Sequence, residues 1–269
     1  MHIVETANLT KRFGDLTAVD AFTLDVDVGE TFGLLGPNGA GKTTVIKMLT
    51  TLLPPTAGKA RIAGFDIERR PNDVRRSIGY VPQILSADGT LTGYENLLVF
   101  ARLYDLPPKE RAPRIEEALQ VMGLTDAKDR LVRTYSGGMI RRLEIAQSMI
   151  HRPRLLFLDE PTVGLDPLAR NAVWDYIRRL RTEYGMTILL TTHYMEEAET
   201  LCERVAIMHL GKLSALGTPK DLERAVAEET GSNGITLNEV FAHYTGGELD
   251  SGGNYRDTSR VRRTARRLG

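Results

Sequence analysis

The chain has a single cysteine, Cys202, among its 269 residues, so an internal disulfide and a multi-cysteine metal site are both excluded. Cys202 reads as an inert helix residue, and the expected setting is reducing and cytoplasmic. Long apolar runs are missing too. Stretches such as LLFL and ILL fall far short of the roughly 20 residues that span a bilayer. No charged–apolar–small leader opens the chain, because MHIVETANLT is already polar by residue 5. A membrane role is therefore expected to be peripheral and to act through a partner.

Net charge is absent as well, with 35 basic against 35 acidic residues, but the balance is uneven. Residues 251–269 hold six Arg against one Asp, a net of +5 that leaves −5 on residues 1–250. Nothing in the body suggests strong affinity for nucleic acid. The Gly/Ser/Arg-rich tail reads as a solvated, disordered end, or as a segment weakly drawn to an anionic membrane surface. No internal repeat and no coiled-coil heptads occur.

What is present is an α/β pattern. Phe22, Leu24, Val26 and Val28 alternate with polar residues, as in a half-buried strand. GETFGLLG runs into a glycine-rich loop, and TTVIKMLTTLL behind it reads as a helix ended by Pro54 and Pro55. GKARIAG and SIGYVPQ are further short strands. From about residue 85 to 150 the pattern turns helical. Thr92 and Glu95 form a capping box before NLLVFARLY, which Pro107 and Pro108 are expected to stop. RIEEALQVMGL and Met139–Ile150 are two more helices, the first ended by Gly123. RLLFLDE and MTILLTTH are buried strands separated by the helix LARNAVWDYIRRLRTEYG, which implies a parallel sheet. MEEAETLCERV is helical, VAIMHLGKLSALG is a hairpin around Gly211-Lys212, and PKDLERAVAEE and LNEVFAHY are two final helices.

GPNGAGKT at 36–43 fits the phosphate-loop pattern, with a strand before it and a helix after. Gly36, Gly39 and Gly41, with Pro37, Asn38, Ala40 and Thr44 around them, form a backbone nest whose N–H groups suit phosphate oxygens. Lys42 can reach the β- and γ-phosphates, and the Thr43 hydroxyl oxygen can serve Mg²⁺. Asp159 ends a strand, from which its carboxylate can hold the same cation. Glu160 follows it and is the candidate to orient and deprotonate an attacking water. His193, at the end of TILLTTH, reaches the same carboxyl edge of the sheet as a γ-phosphate contact, although alone it reads as a structural histidine. Gln83, in YVPQ, is placed to approach the metal and the water. A second anion-binding helix start follows at YSGGM, around Ser136, Gly137 and Gly138, with no strand leading into it.

In this order the motifs resemble the ATP-binding cassette of ABC transporters, over residues 1 to about 217. Walker A is GPNGAGKTT, the Q-loop carries Gln83, the signature is YSGGM, Walker B is LLFLDE, the D-loop is GLD and the H-loop carries His193. The implied fold is an α/β P-loop NTPase cassette: a mixed central sheet with helices, an N-terminal antiparallel β subdomain, and an inserted helical subdomain at about 85–150. A helical extension at 218–250 and the basic tail at 251–269 follow it. The resemblance implies a homodimer or paired cassettes, with ATP and Mg²⁺ between Walker A of one subunit and the signature of the other. Ser136, Gly137, Gly138 and Asp166 would then serve the partner's nucleotide. Phe13 matches the position that stacks on adenine, or is simply a core or hairpin residue. Tyr135 and Met139 stand where the commonest signature, LSGGQ, has Leu and Gln.

SGGMIRRLEIA, PTVGLDP, THYMEEAE and LNEVFAHYTG are more closely similar to the ATPase subunits of bacterial drug-resistance exporters of the daunorubicin/doxorubicin type, within the ABC-2 group. This implies a separate multi-span permease, a peripheral place on the cytoplasmic face of a bacterial or archaeal membrane, and export of drugs or other hydrophobic compounds. A soluble non-transport ATPase, an importer subunit and a lipid or polysaccharide exporter stay open as alternatives.

Overall fold

The computed structural model describes residues 1–232 and 234–247, so the expectation for the basic tail lies outside the described residues. Six strands form the central sheet, in the order β11(Lys212–Gly217)–β10(Arg204–His209)–β4(Thr31–Leu35)–β9(Thr187–Thr192)–β8(Leu155–Asp159)–β7(Ile78–Val81). Every neighbouring pair is parallel except β10 with β11, which close a hairpin at the edge. Every residue of β4, β8 and β9 is buried. That is why those strands read as continuous rather than alternating apolar runs, since both faces of the sheet are covered.

On one face lies the antiparallel sheet of β1(His2–Phe13), β2(Leu16–Phe22), β3(Asp25–Asp27), β5(Ala57–Ile62) and β6(Phe65–Asp66), together with α1(Lys42–Leu49) and α2(Pro71–Ser77). The other face carries α3(Gly93–Leu103), α4(Pro108–Val121), α5(Gly137–Met149), α6(Pro167–Tyr184), α7(Met195–Leu201), α8(Pro219–Thr230) and α9(Leu237–Thr245). Leu222, Val226, Leu237, Val240 and Phe241 belong to this second core, so the last two helices pack on the helical face, against β10 and β11 of the central sheet.

Several boundaries differ from the sequence expectation. The alternating run from Phe22 to Val28 is two strands, because β1 pairs β2 at its far half and β3 at its near half, and Val28 faces out. Helix α1 stops well before the prolines. Thr51 takes a left-handed φ of 64°, and the Leu52 and Leu53 N–H groups both turn back to the Lys47 carbonyl. Helix α3 likewise ends before its prolines, at Leu103, and Asp105 takes a left-handed φ of 53°. Pro107 and Pro108 instead open α4, as its N-cap and first residue, a position where a missing N–H costs nothing. Helix α7 ends at Leu201, because Glu203 N–H already bonds Thr31 O and Arg204 begins β10. Cys202, at that end, is buried, and burial pushes its thiol well above the ordinary value. Thr92 and Glu95 form the expected reciprocal cap of α3.

His151 ties the helices to the sheet. Its ring stacks on Tyr104, with centroids 3.7 Å apart, and its Nε2 donates to Ile78 O at 2.9 Å. Burial pushes its imidazole down to about 4. An unfolded histidine near 6.5 takes a proton that the folded one refuses, so stability present above pH 6.5 is lost as pH falls towards 4. The loss is about 3 kcal/mol. Urea unfolding between pH 4 and 7 is expected to show this slope, and His151→Phe is expected to flatten it while keeping the stack.

Candidate active site

The phosphate loop leaves the C-terminal end of β4 and enters α1 through Gly41, whose φ of 105° only glycine adopts readily. A side chain there would also meet Ala18 O of β2 at 2.5 Å, so the antiparallel sheet presses directly on the loop. Lys42 is buried, and its Nζ donates to Gly36 O at 2.6 Å and Pro37 O at 3.2 Å. The ammonium is thereby held inside the curl of the loop. Burial lowers its proton affinity, and the nearby Glu160 charge restores part of it. Gly39 and Asn38 form the exposed crest.

The adjacent strand ends bring the acidic residues to the same place. Strand β8 ends at Asp159, paired in register with Thr191 of β9. Asp159 Oδ1 accepts from Thr191 Oγ1 at 2.6 Å and from Thr43 Oγ1 at 3.3 Å. Burial raises the Asp159 carboxyl, and those two hydroxyls only partly offset this. Burial and the Asp159 charge also push Tyr80 up to about 12.

Glu160 turns out of the strand with a left-handed φ of 49°. For a non-glycine residue that strain costs about 1–3 kcal/mol and persists only when the surroundings impose it. Here its N–H is fixed by Thr191 O and Oγ1, at 3.1 and 2.9 Å. The bend aims the carboxylate at three partners. Oε1 lies 3.4 Å from Lys42 Nζ and 3.4 Å from His193 Nδ1, and Oε2 accepts from Gln83 Nε2 at 3.1 Å. Burial works to raise the Glu160 carboxyl, but the imidazole contact and the Lys42 charge outweigh it and hold it below the usual range. One edge of the sheet therefore gathers Lys42, Thr43, Gln83, Asp159, Glu160 and His193.

Ser136, Gly137, Gly138 and Asp166 form a second group. Ser136 caps α5 by accepting Met139 N–H at 3.3 Å, and Asp166 caps α6 by accepting Ala169 N–H at 2.9 Å. The two helix starts are side by side, because a Cβ on Gly138 would come within 2.9 Å of Ala169. Ser136, Gly137 and Asp166 are exposed, and the side chains of Ser136 and Asp166 bond within their own helices rather than to the Lys42 cluster. Phe13 ends β1, paired with Leu16 and half exposed beneath Lys11, so it is a hairpin-tip residue and not a core residue.

Sequence reasoning missed Thr191, which organises both acidic residues. It also missed Glu197, fully buried and accepting from Thr162 Oγ1 at 2.7 Å and Trp174 Nε1 at 2.8 Å beneath the loop after Glu160. The only signal for Thr191 is the pair of threonines before His193. Its role appears once β8 and β9 are in register.

The ABC transporter family matches residues 19–163. The chain is 47% identical over 234 residues to the daunorubicin/doxorubicin resistance ATP-binding protein DrrA of Streptomyces peucetius, covering 87% of this chain and 69% of that protein. It is 42% identical over 221 residues to the linearmycin resistance ATP-binding protein LnrL of Bacillus subtilis, covering 82% and 70%. A solved ATP-binding subunit of an ABC transporter superposes with a TM-score of 0.77 at 30% identity, over 90% of this chain and 99% of that one. A phosphate loop at the head of α1, two acidic residues at the end of β8 and a match running through both place the chain in the ABC transporter family, as an ATP-binding and ATP-hydrolysing subunit.

Proposed function

We propose that the chain powers a separate multi-span permease from the cytoplasmic face of a bacterial or archaeal membrane, as one of two cassettes that close on ATP and Mg²⁺. The observation that carries this reading is the convergence of Lys42, Gln83, Asp159, Glu160 and His193 on one sheet edge, together with a separate, exposed pair of helix starts that makes no bond to it. In this reading the backbone N–H groups of residues 38–44 and Lys42 hold the phosphates, and Phe13 covers the adenine. Glu160 takes a proton from the attacking water, while His193 holds the γ-phosphate. Ser136, Gly137, Gly138 and Asp166 complete the partner's site.

The residues fit a magnesium ion. The Thr43 hydroxyl and the Asp159 carboxylate are hard oxygen donors 3.3 Å apart, and the Gln83 amide oxygen is a third. Burial disfavours an ionised Asp159, and a neighbouring cation would offset that. Among the described residues no cluster of three or more His, Cys, Asp or Glu could hold a metal, so its other oxygens would come from phosphate and water. When bound, Mg²⁺ supplies charge that neutralises the β- and γ-phosphate oxygens.

No helix among the described residues is long and apolar enough to cross a membrane, so transport needs a partner. The surface proposed for it is residues 83–104, where Ile84 and Leu103 are 80% and 71% exposed and Leu85 and Val99 also face out. Val99 and Leu103 lie one turn apart on the same side of α3. The named relatives support a drug or other hydrophobic compound as cargo. Reconstitution with the copurifying membrane protein is expected to give ATP-dependent movement of doxorubicin into inverted vesicles. Brisk hydrolysis without drug movement would remove the cargo reading, and copurification with no multi-span protein would favour a soluble role. Val99→Glu with Leu103→Glu is expected to keep the isolated chain's hydrolysis within about twofold, as surface changes rarely disturb a fold. Transport by the reconstituted pair should be lost. Unchanged transport would sink the surface assignment.

A further inference from the structure

The loop between β7 and α3 carries Gln83 and has little regular structure, yet it is pinned along its length. Arg141 Nη1 donates to Pro82 O at 2.7 Å and Nη2 to Gln83 O at 2.8 Å. Glu144 Oε1 accepts the Ser86 N–H and also the Ser86 hydroxyl at 3.3 Å. Asp88 is held at both backbone groups by Asn96, whose Oδ1 accepts in turn from Gln147 Nε2 at 3.2 Å. Arg141, Glu144 and Gln147 all belong to α5, the helix that Ser136 caps. Between the pins, Ile84 and Leu85 stand exposed.

Arg141 and Glu144 form an ion pair 3.1 Å apart, with residue exposures of only 1% and 3%. Burial lowers the arginine's proton affinity and raises the glutamate's, and their attraction offsets this only in part. Such a pair is weak evidence of stability, since a well-packed apolar pair of similar volume often does as well or better. What an apolar pair could not do is hold two successive carbonyls and the Ser86 N–H. The planar guanidinium fork suits the two carbonyls, and a lysine ammonium does not reproduce it.

We propose that Arg141 and Glu144 are positioning residues for hydrolysis, joining the signature end of α5 to the Gln83 loop so that both move as one body. Gln83 Nε2 bonds Glu160, so a continuous set of contacts runs from the Ser136 helix start to the carboxylate of the chain's own site. ATP presented by a partner at Ser136 then sets Gln83 against Glu160 in this chain, and pressure on Ile84 and Leu85 reaches the same helix. This rests on the proposed roles of Glu160 and Ser136.

The test uses the full chain with Arg141→Lys, and separately with Arg141→Met plus Glu144→Leu. Lysine keeps the buried charge balance, and the apolar pair removes both charges together. Both are expected to keep the thermal midpoint within a few degrees and the MgATP affinity of the monomer within threefold, while kcat falls at least tenfold with KM little changed. A folded variant of either kind with wild-type kcat would overturn the proposal. If the apolar pair fails to fold, Arg141→Lys alone decides. Loss of fold in both would assign the pair to stability and overturn it equally. Glu160→Gln, run in parallel, separates the two levels: wild-type turnover there would sink the underlying site reading instead.

Discussion

Glu160→Gln is expected to leave a folded protein that binds MgATP, forms a dimer on it, and turns it over about 10²–10⁴ times more slowly, the contribution of a positioned general base. The amide keeps the shape of the side chain, and its oxygen can still accept from Gln83. It cannot accept a proton from water. The charge change matters as much as the lost base. The native carboxylate is held below the usual range by the His193 contact and the Lys42 charge, so it is ionised at neutral pH. An anion at that place repels the γ-phosphate, and removing it leaves Lys42 free to serve phosphate alone. Turnover should therefore fall while the nucleotide-bound dimer lasts longer. Phosphate release and size-exclusion chromatography with ATP check the two halves separately. Only monomers on the column would count against the paired reading, and undiminished phosphate release would remove Glu160 from its role.

The sequence made the nucleotide-binding half legible because its signals are local. A phosphate loop needs only a strand before it and a helix after it, and GETFGLLGPNGAGKTT carries both within a few residues. Asp159 and Glu160 end an all-apolar strand, and strand ends are where a parallel sheet collects ligands. What stayed hidden depends on which elements become neighbours. Thr191 serves Asp159 and Glu160 only because β9 lies beside β8, and no local pattern states that order. Arg141 and Glu144 read as ordinary charges on a helix, i and i+3, until α5 packs under the Gln83 loop and buries both. The prolines misled for a different reason. A Pro-Pro pair can break a helix, but it also suits the first turn of the next one, and here α3 has already ended at Leu103, so the pair marks only a start.

Ser136→Ala is the second large effect, expected to cost about 10²–10³ in kcat, the loss of one preorganised donor to a phosphoryl oxygen. It needs care, because Ser136 also caps α5. Alanine at an N-cap removes about 1 kcal/mol of helix stability, and a loosened helix could slow hydrolysis without any contact across a dimer. Ser136→Asp separates the two roles. Aspartate caps a helix as well as serine does, and its charge suits the positive end of the helix. If Ser136 matters only as a cap, the aspartate variant should hydrolyse ATP normally. If it faces the γ-phosphate of a partner's ATP, the same charge meets an anion, and hydrolysis should fall below even the alanine variant. Monomer binding of ATP is expected to stay within about twofold for both, because the serine side chain bonds only within its own helix and not to the Lys42 cluster. Active Ser136→Asp, or a parallel collapse of monomer affinity, would show that the signature does not act on a second subunit's nucleotide. Inactive Ser136→Asp with intact binding would leave Ser136 a contact that only a partner can complete.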